Sequence, residues 1–583
     1  MGIRQCNAGL KIKEVQEGEM KELDRRKFLK IGGAGIAGLA VSGLDIPRLE
    51  WLSSRTALAA GSENAWCFGV MSDTQWRKNT GNADESASSC ATSIIDALNE
   101  QFIQHECKYV IQVGDLCNDE SVNNVRSMPM RAAHCQALYD RGIGFFPVRG
   151  NHEASAIAAN ELPTIFPQTQ GGGANVAGAT NFNSPLASLE GLSYSFDYEN
   201  VRCVLIDQFT RKDGAGSTNN NVLDQVTWVD ERVSSKPEDS HAFVFAHKNL
   251  IGQNHKDVLF GGSMTGINDA AMDTFIQSLD SNGVRYCLGG HDHMHHRSVV
   301  YDSNGSASVD QIITSSNSYK FYIPQTGDDG REKPVCQELA TIGYYIFTID
   351  GPRVTVDFYS SSHGDDYGDT DLANAPSSFN FYLRERFGYS LNGKSWIVEQ
   401  GQSYTAIEDS YKGTAAKILS GVNLNTETEY LGEKLCKTVN TGWADAQPED
   451  NALSSVFTLW GLVDNLSLWE KPNPPNPAER KDLTGLLPDA AESTQTDTYT
   501  LALSYEPTKV RPSQVMSGKF VIAAKNENKD WVNAVNLNFN GTKKFIVGPW
   551  KATYGLGSYG VDPKTYTVWA VLNHESNFVL KLV

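Results

Sequence analysis

Five short apolar runs recur along the first half of the chain, and each is closed by a polar motif. CFGVM precedes Ser72-Asp73-Thr74-Gln75, KYVIQV precedes Gly114-Asp115, and FFPVR precedes Gly150-Asn151-His152-Glu153. AFVFA leads to Ala246-His247, and VRYCLG to Gly290-His291-Asp292-His293. Short runs rich in β-branched and aromatic residues predict strands. Between them, residues 91–104, 132–141, 222–233 and 269–281 carry apolar positions at helical spacing. Strand and helix in alternation predict an α/β layered core. In an open sheet of this type ligands gather beyond the carboxyl ends of the strands, so the five motifs are expected to share one edge and converge on one crevice.

After about residue 375 the pattern changes to short alternating runs such as SWIVEQGQSYTAI, YTLALSYEP, KFVIAAK, NAVNLNF and YTVWAVL. Strands of this length with turn residues between them predict a mainly-β, sandwich-like region. The segment Lys471-Pro472-Asn473-Pro474-Pro475-Asn476-Pro477 and the polar stretch to Thr498 read as a stiff spacer or a long loop that splits or interrupts this region. With 583 residues the chain has room for two or three domains. The expected division is 1–59, 60–375 and 376–583, with a further break near 471–498.

At the start, Asp24-Arg25-Arg26-Lys27-Phe28-Leu29-Lys30 precedes the apolar stretch Ile31–Leu44, and Ala57-Leu58-Ala59 offers a small-residue cleavage site. The apolar stretch is shorter than the roughly 20 residues that span a bilayer. The segment resembles a twin-arginine export signal, with Met20 as a more usual start. That resemblance implies a partner during biogenesis, the twin-arginine machinery, which carries folded proteins with their metals already loaded. The mature protein is expected in the periplasm or outside the cell, soluble after cleavage.

Residues 1–59 hold ten basic and seven acidic side chains, so their removal takes the formal charge from −19 to −22. Nucleic acid is not an expected partner, since its binding depends on Lys and Arg neutralising phosphates. An anionic substrate has to be drawn in by local positive charge such as bound cations. Nine cysteines follow residue 59 without a CxxC pair, several within apolar runs, as at Cys203 and Cys287. This spacing does not indicate a disulfide framework, although one or two bridges remain open after export.

The motifs offer two aspartates, Asp73 and Asp115, three histidines, His247, His291 and His293, and the side-chain carbonyls of Asn151 and Gln75. Donors of this hardness, with no thiolate, suit Mn, Fe, Zn or Mg. A carboxylate such as Asp115 can bridge two cations. Two cations about 3.5–4 Å apart lower the pKa of a shared water and clamp an in-line displacement at phosphorus. His291 and His293, two apart, point to one face if the chain is extended there, with Asp292 facing away.

The ordered series resembles the calcineurin-like metallophosphoesterase family, whose motifs run D-x-H, GD, GNH(E/D), H and GHxH. The resemblance covers roughly residues 65–360. It implies a layered sandwich of two β-sheets flanked by helices, with SVDQIITSS, ATIGYYIFTID and PRVTVDFYSS as consecutive strands completing the second sheet. It places Asp73, Gln75 and His293 on one metal, Asn151, His247 and His291 on the other, and Asp115 between them. His152 becomes the catalytic histidine that contacts phosphate beside Asn151 and assists the leaving oxygen. The implied reaction is hydrolysis of a small phosphomonoester or phosphodiester by a metal-bridging hydroxide.

Two positions depart from the family. Gln75 stands where a histidine is usual, a weaker and neutral donor. Asn118 stands where the purple acid phosphatase branch has a tyrosine ligand, so no purple tyrosinate site is expected. Gln75 keeps open an alternative from another class, a metal-binding, scaffold or adhesin protein with a weakened centre and a binding role in the C-terminal β region. Residues 154–190, rich in Gly, Ala, Asn and Ser, read as a long loop and a substrate-shaping lid. His295 and His296 are expected as partly exposed neighbours of the site. His105, His134, His241, His255, His363 and His574 are expected to be structural or on the surface, and Arg77, Lys78 and Lys248 to be solvated loop charges.

Overall fold

The five apolar runs become strands because they are rich in residues that pack on both faces of a buried sheet. The computed structural model describes residues 64–583 apart from 77–89, 119–126, 217–221, 263–265, 325–329, 362–378, 460–497, residues between 392 and 450 outside the strands named below, and single positions. The expected export signal, Arg77, Lys78, His363 and the proline-rich spacer lie outside the described residues.

In chain order the first part contains β1 (Trp66–Met71), α1 (Thr92–Gln104), β2 (Tyr109–Val113), α2 (Ser127–Ala133), α3 (Gln136–Tyr139), β3 (Gly144–Val148) and α4 (Ala156–Ile165). There follow β4 (Thr180–Asn183), β5 (Tyr194–Tyr198), β6 (Val201–Ile206), α5 (Val226–Ser234), β7 (His241–Ala246), the small pair β8 (Gly261–Gly262) and β9 (Gly266–Ile267), α6 (Asp269–Ser281) and β10 (Tyr286–Gly289). Then come β11 (His295–Tyr301), β12 (Ser308–Ile313), β13 (Glu332–Glu338), β14 (Ile342–Asp350), β15 (Arg353–Ser361) and β16 (Tyr382–Ser390).

Two mixed sheets result. One has the order β16-β15-β14-β1-β2-β3, and the other β13-β11-β12-β10-β7-β6-β5-β4. β1, β2 and β3 run parallel, as do β6, β7, β10 and β12. The five motifs therefore leave strands of both sheets of the sandwich that the resemblance implies.

Alternation along each strand builds three cores. Phe68, Tyr109, Ile111, Phe146, Phe243, Phe245, Tyr286, Leu288 and Phe347 fill the space between the sheets. Ile94, Leu98, Phe102 and Leu162 pack from helices onto the outer face of the first sheet, and Trp228, Met272, Phe275 and Ile276 onto that of the second.

The strands expected to complete the second sheet are divided between the two. SVDQIITSS supplies β12 beside β10, whereas ATIGYYIFTID and PRVTVDFYSS form the β14–β15 hairpin. β14 pairs antiparallel with β1, Trp66 opposite Ile349. Its own alternation explains this placement. Tyr345, Phe347 and Ile349 enter the inter-sheet core, while Tyr344 and Ile346 face the helices. The first sheet also extends past residue 375, because β16 pairs with β15.

Among the helices, residues 269–281 form α6 as expected, with Asn268 accepting the Ala271 N–H as its cap. The stretch 132–141 breaks into α2 and α3, and the stretch from 222 opens with a turn of 3-10 helix before α5. Residues 154–190 are not the one long loop that their composition suggests. Ser155 caps α4, and Ala158, Ala159 and Leu162 anchor that helix in the core.

Two six-stranded sheets make up the C-terminal part. One joins residues 395–398, 439–445, 456–459, 576–582, 520–525 and 531–533, and the other 405–407, 414–420, 498–504, 567–572, 558–562 and 544–547. Phe520, Ile522, Phe578 and Leu580 of the first pack with Tyr499, Leu501, Val568 and Ala570 of the second. NAVNLNF, expected as a strand, contains a 3-10 turn over Ala534–Asn536 instead. The Asn533 side chain takes the Val535 N–H and so starts a turn. A further strand pair, 427–430 with 433–436, completes the described elements. Residues 61–583 form one unit.

Phe68 is fully buried between Tyr109 and Phe347, with ring centroids 4.9 and 4.8 Å away. Phe68→Ala is expected to cost about 3–5 kcal/mol. The check is the denaturant midpoint at unchanged slope.

Candidate metal centre

The first, second and fifth motifs turn their functional side chains back over the strand ends by an unusual backbone conformation. Asp73, Asp115, His291 and His293 all have positive φ, at 52°, 45°, 71° and 52°. Such residues cost on the order of 1–3 kcal/mol each and persist where the surroundings over-determine them. Here Thr74 N–H and Gln75 N–H both donate to the Asp115 carbonyl, at 2.9 and 3.1 Å, and Asp73 N–H donates to Gly114 O. His291 N–H donates to the Asp73 carboxylate at 3.1 Å. Because both histidines are left-handed, they do not share a face in the manner of a strand. They turn toward different partners, and Asp292 is buried between them.

All seven expected donors come together. On one side, His293 Nε2 lies 3.4 Å from Asp73 Oδ1 and 3.0 Å from Gln75 Nε2, and that amide is 2.9 Å from Asp115 Oδ2. On the other, His247 Nε2 lies 3.3 Å from Asp115 Oδ1 and 3.0 Å from Asn151 Oδ1. The ligating atoms of Asp115, His247 and His291 lie within 4.8 Å of one another, as do those of Asp73, Asp115 and His293. Two donors about 2.1 Å from one cation and at right angles stand about 3 Å apart. The spacings fit that requirement on both sides.

Gln75 carries the sharpest test of fit. Its Oε1 is buried without a hydrogen-bond partner among the described residues, while its Nε2 points at two acceptors. Turning the amide end for end would point Oε1 toward Asp115 and His293, as a cation there would require.

Charge in the centre is unevenly shared. Burial would raise Asp115, but His247 and His152 beside it hold its carboxyl well below the usual range. Burial pushes Asp73 up to about 7, with His247 opposing and the Asp115 charge adding. Burial would lower His247, yet the Asp115 charge outweighs it and pushes the imidazole up to about 9. Burial lowers His291 to about 4 and His293 to about 3, so both present neutral rings. A cation would compete with protons for Asp73 and His247, so uptake releases protons and strengthens as pH rises.

Several residues that hold this arrangement were not singled out by sequence. Arg149, the last residue of FFPVR, is fully buried and binds Asp207 through two bonds of 2.6 and 2.8 Å. Its guanidinium also holds the carbonyls of Glu153, Ser155 and Thr210. Glu153 accepts Gly150 N–H and Cys117 N–H, both at 2.9 Å, tying the third motif to the loop after Asp115. His152 N–H donates to Asp115 Oδ1 at 3.0 Å, and His152 Nδ1 donates to Asn118 Oδ1 at 2.6 Å.

Two expectations about neighbouring side chains are corrected. Lys248 is 2% exposed and paired with Asp257 at 2.8 Å, so it is not a solvated loop charge. His295 and His296 are buried: His295 is bonded to Glu385 and Tyr345, and His296 to Glu332 and Gln337. Burial follows from their place on β11, a central strand of the second sheet. His255, expected to be structural or on the surface, stacks its ring on His291 at 4.0 Å.

Two mixed sheets flanked by helices thus carry buried Asp and His groups at one edge. Residues 68–295 match the family model described as calcineurin-like phosphoesterase. No curated protein sequence matches the chain.

Among solved structures, the chain is similar to purple acid phosphatase PPD1 of yellow lupin (Lupinus luteus), at 12% identity over 56% of this chain and 54% of that one, TM-score 0.38. It is similar to a dimetal phosphatase from Danio rerio at 15% identity over 50% and 95% of the two chains, TM-score 0.32. It is also similar to GAP50, the anchor in the inner membrane complex of Plasmodium, at 15% identity over 53% and 92%, TM-score 0.31. The chain thus spans about half the length of the lupin enzyme.

Two motif glycines leave room for the aspartates. A Cβ on Gly150 would meet the carboxylate and backbone nitrogen of Asp115, and one on Gly290 would meet Asp73 and the Val113 carbonyl. Gly150→Ala is therefore expected to destabilise the fold by about 1–3 kcal/mol. It should also lower the metal content, measured by elemental analysis after dialysis.

Proposed function

We propose that this protein is an exported, dinuclear metal-dependent phosphoesterase that cleaves small phosphomonoesters or phosphodiesters by attack of water at phosphorus. The observation that supports it most is the division of Asp115, with Oδ1 turned to His247 and Oδ2 to Gln75. In this reading Asp73, Gln75 and His293 would hold one cation and Asn151, His247 and His291 the other, with Asp115 available to both. Mn, Fe or Zn suits such donors. When bound, the pair of cations supplies an acidified water and neutralises charge in an in-line displacement.

The chain's own residues orient and move protons. With its Nδ1–H given to Asn118, His152 takes up any further proton at Nε2, which lies 3.8 Å from Asp115 Oδ2. The protonated ring gives that proton to the leaving oxygen and ends neutral, still held by Asn118. Asn151 and His152 together contact the substrate phosphate.

Export through the twin-arginine route is proposed from the Asp24–Lys30 segment and the small-residue site at 57–59. Among the described residues, no helix is long and apolar enough to cross a membrane. A metal-binding, scaffold or adhesin role is the competing reading, favoured by the neutral amide at Gln75.

Protein exported by its native host is expected to carry two metal ions per chain and to hydrolyse a chromogenic monoester or diester. Full occupancy with activity on neither would favour the binding role. His152→Ala should keep both ions and lower turnover by about 10²–10⁴-fold; unchanged turnover on an active substrate would remove His152 from the mechanism. Replacing Arg25 and Arg26 together by lysine should leave the precursor in the cytoplasm on fractionation. Normal export of that variant would sink the twin-arginine assignment.

A further inference from the structure

The loop after His247 folds back over the turn that carries His291, and Asp292 is its anchor. This fully buried carboxylate accepts Gln253 N–H at 2.7 Å, His255 N–H at 2.9 Å, His255 Nδ1–H at 2.8 Å and Asn249 Nδ2–H at 3.2 Å. So held, the loop lays the His255 ring on His291, 4.0 Å between centroids and 27° between planes. It also brings Asp257 Oδ1 to 3.3 Å from His291 Nε2. Lys248, adjacent to His247 and 2% exposed, holds the other oxygen of Asp257 at 2.8 Å.

A carboxylate paired with a buried ammonium has only lone pairs to offer. The hydrogen between Asp257 and His291 therefore belongs to Nε2, which leaves the lone pair of the ring on Nδ1. Which nitrogen of a histidine faces a cation is set by the hydrogen bond that the other nitrogen makes.

We propose that Asp257, clamped by Lys248, is the positioning residue that fixes the tautomer of His291, so that Nδ1 is the atom offered to the second cation. This rests on the two-cation reading above and extends it to a residue outside all five motifs. Partners of this kind change metal affinity by about 10–100-fold when removed. An ionised acceptor also holds the ring N–H more strongly than a water or a backbone carbonyl does.

The test uses the full mature chain, stripped and reloaded with Mn(II) alone, then titrated with a graded chelator. Wild type is expected to hold two ions. Asp257→Ala should weaken one of them by about 10–100-fold and leave the other within about threefold. Asp257→Asn, whose carboxamide oxygen still accepts Nε2–H, should stay within about threefold of wild type at both.

Wild-type retention of both ions by Asp257→Ala would overturn the proposal. Equal losses in Asp257→Asn and Asp257→Ala would overturn it too, since negative charge and not the hydrogen bond would then hold the ion. Fewer than two ions in the wild type would bring down the two-cation reading itself; only with wild type at two does a failure fall on Asp257 alone. Should Asp257→Ala lose its folded circular-dichroism signal, Asp257→Ser makes the same comparison.

Discussion

Asp115 is a carboxylate at the meeting point of two sheets with 1% of its surface exposed. An uncompensated charge in such a place costs several kcal/mol, so its neighbours must answer it with hydrogen bonds and positive charge. They do so from three directions, and the backbone is held as well. His152 N–H and the His247 ring address one oxygen, Gln75 addresses the other, and the backbone carbonyl of the same residue takes two N–H groups from the first motif. Gly150 contributes by having no Cβ where the carboxylate lies. The first, third and fourth motifs are thus assembled around one anion.

Holding four side chains in left-handed turns requires a stiff surround, and the protein supplies it with buried ionic groups. Arg149 with Asp207 braces the third motif, and Glu153 links it to the second. Asp292 braces the loop between the fourth and the fifth. Beyond the fifth motif, His295 and Arg297 on β11 both bind Glu385 on β16, a strand of the opposite sheet. β16 lies alongside residues 439–445 of the C-terminal part. The turn bearing His291 and His293 is therefore braced from the far side of residue 375.

The motif residues were legible because their chemistry is local. Aspartate, asparagine and histidine at the ends of aromatic and β-branched runs announce strand-terminal donors whatever the rest of the chain does. The second rank of the site was not legible. Asp257 stands alone ten residues after His247, Arg149 looks like the end of a strand, and Lys248 looks like a loop charge. Nothing in their immediate sequence distinguishes them, since each acquires its role from a partner far away in the chain. Residues 154–190 misled for the opposite reason, because their small and polar composition hid a capped helix with an apolar stripe at Ala158, Ala159 and Leu162.

By itself the sequence determined which segments would be strands and helices and which donors would stand at the strand ends. It did so because side-chain periodicity and turn chemistry act over a few residues. Tertiary structure alone decided how the motif strands divide between the two sheets, that β14 pairs with β1, and that His291 and His293 turn to different partners. Those outcomes depend on packing between faces and on hydrogen bonds across more than two hundred residues, as from His291 to Asp73. No local pattern encodes them, because the free energy that selects them appears only when the two sheets close over a common core.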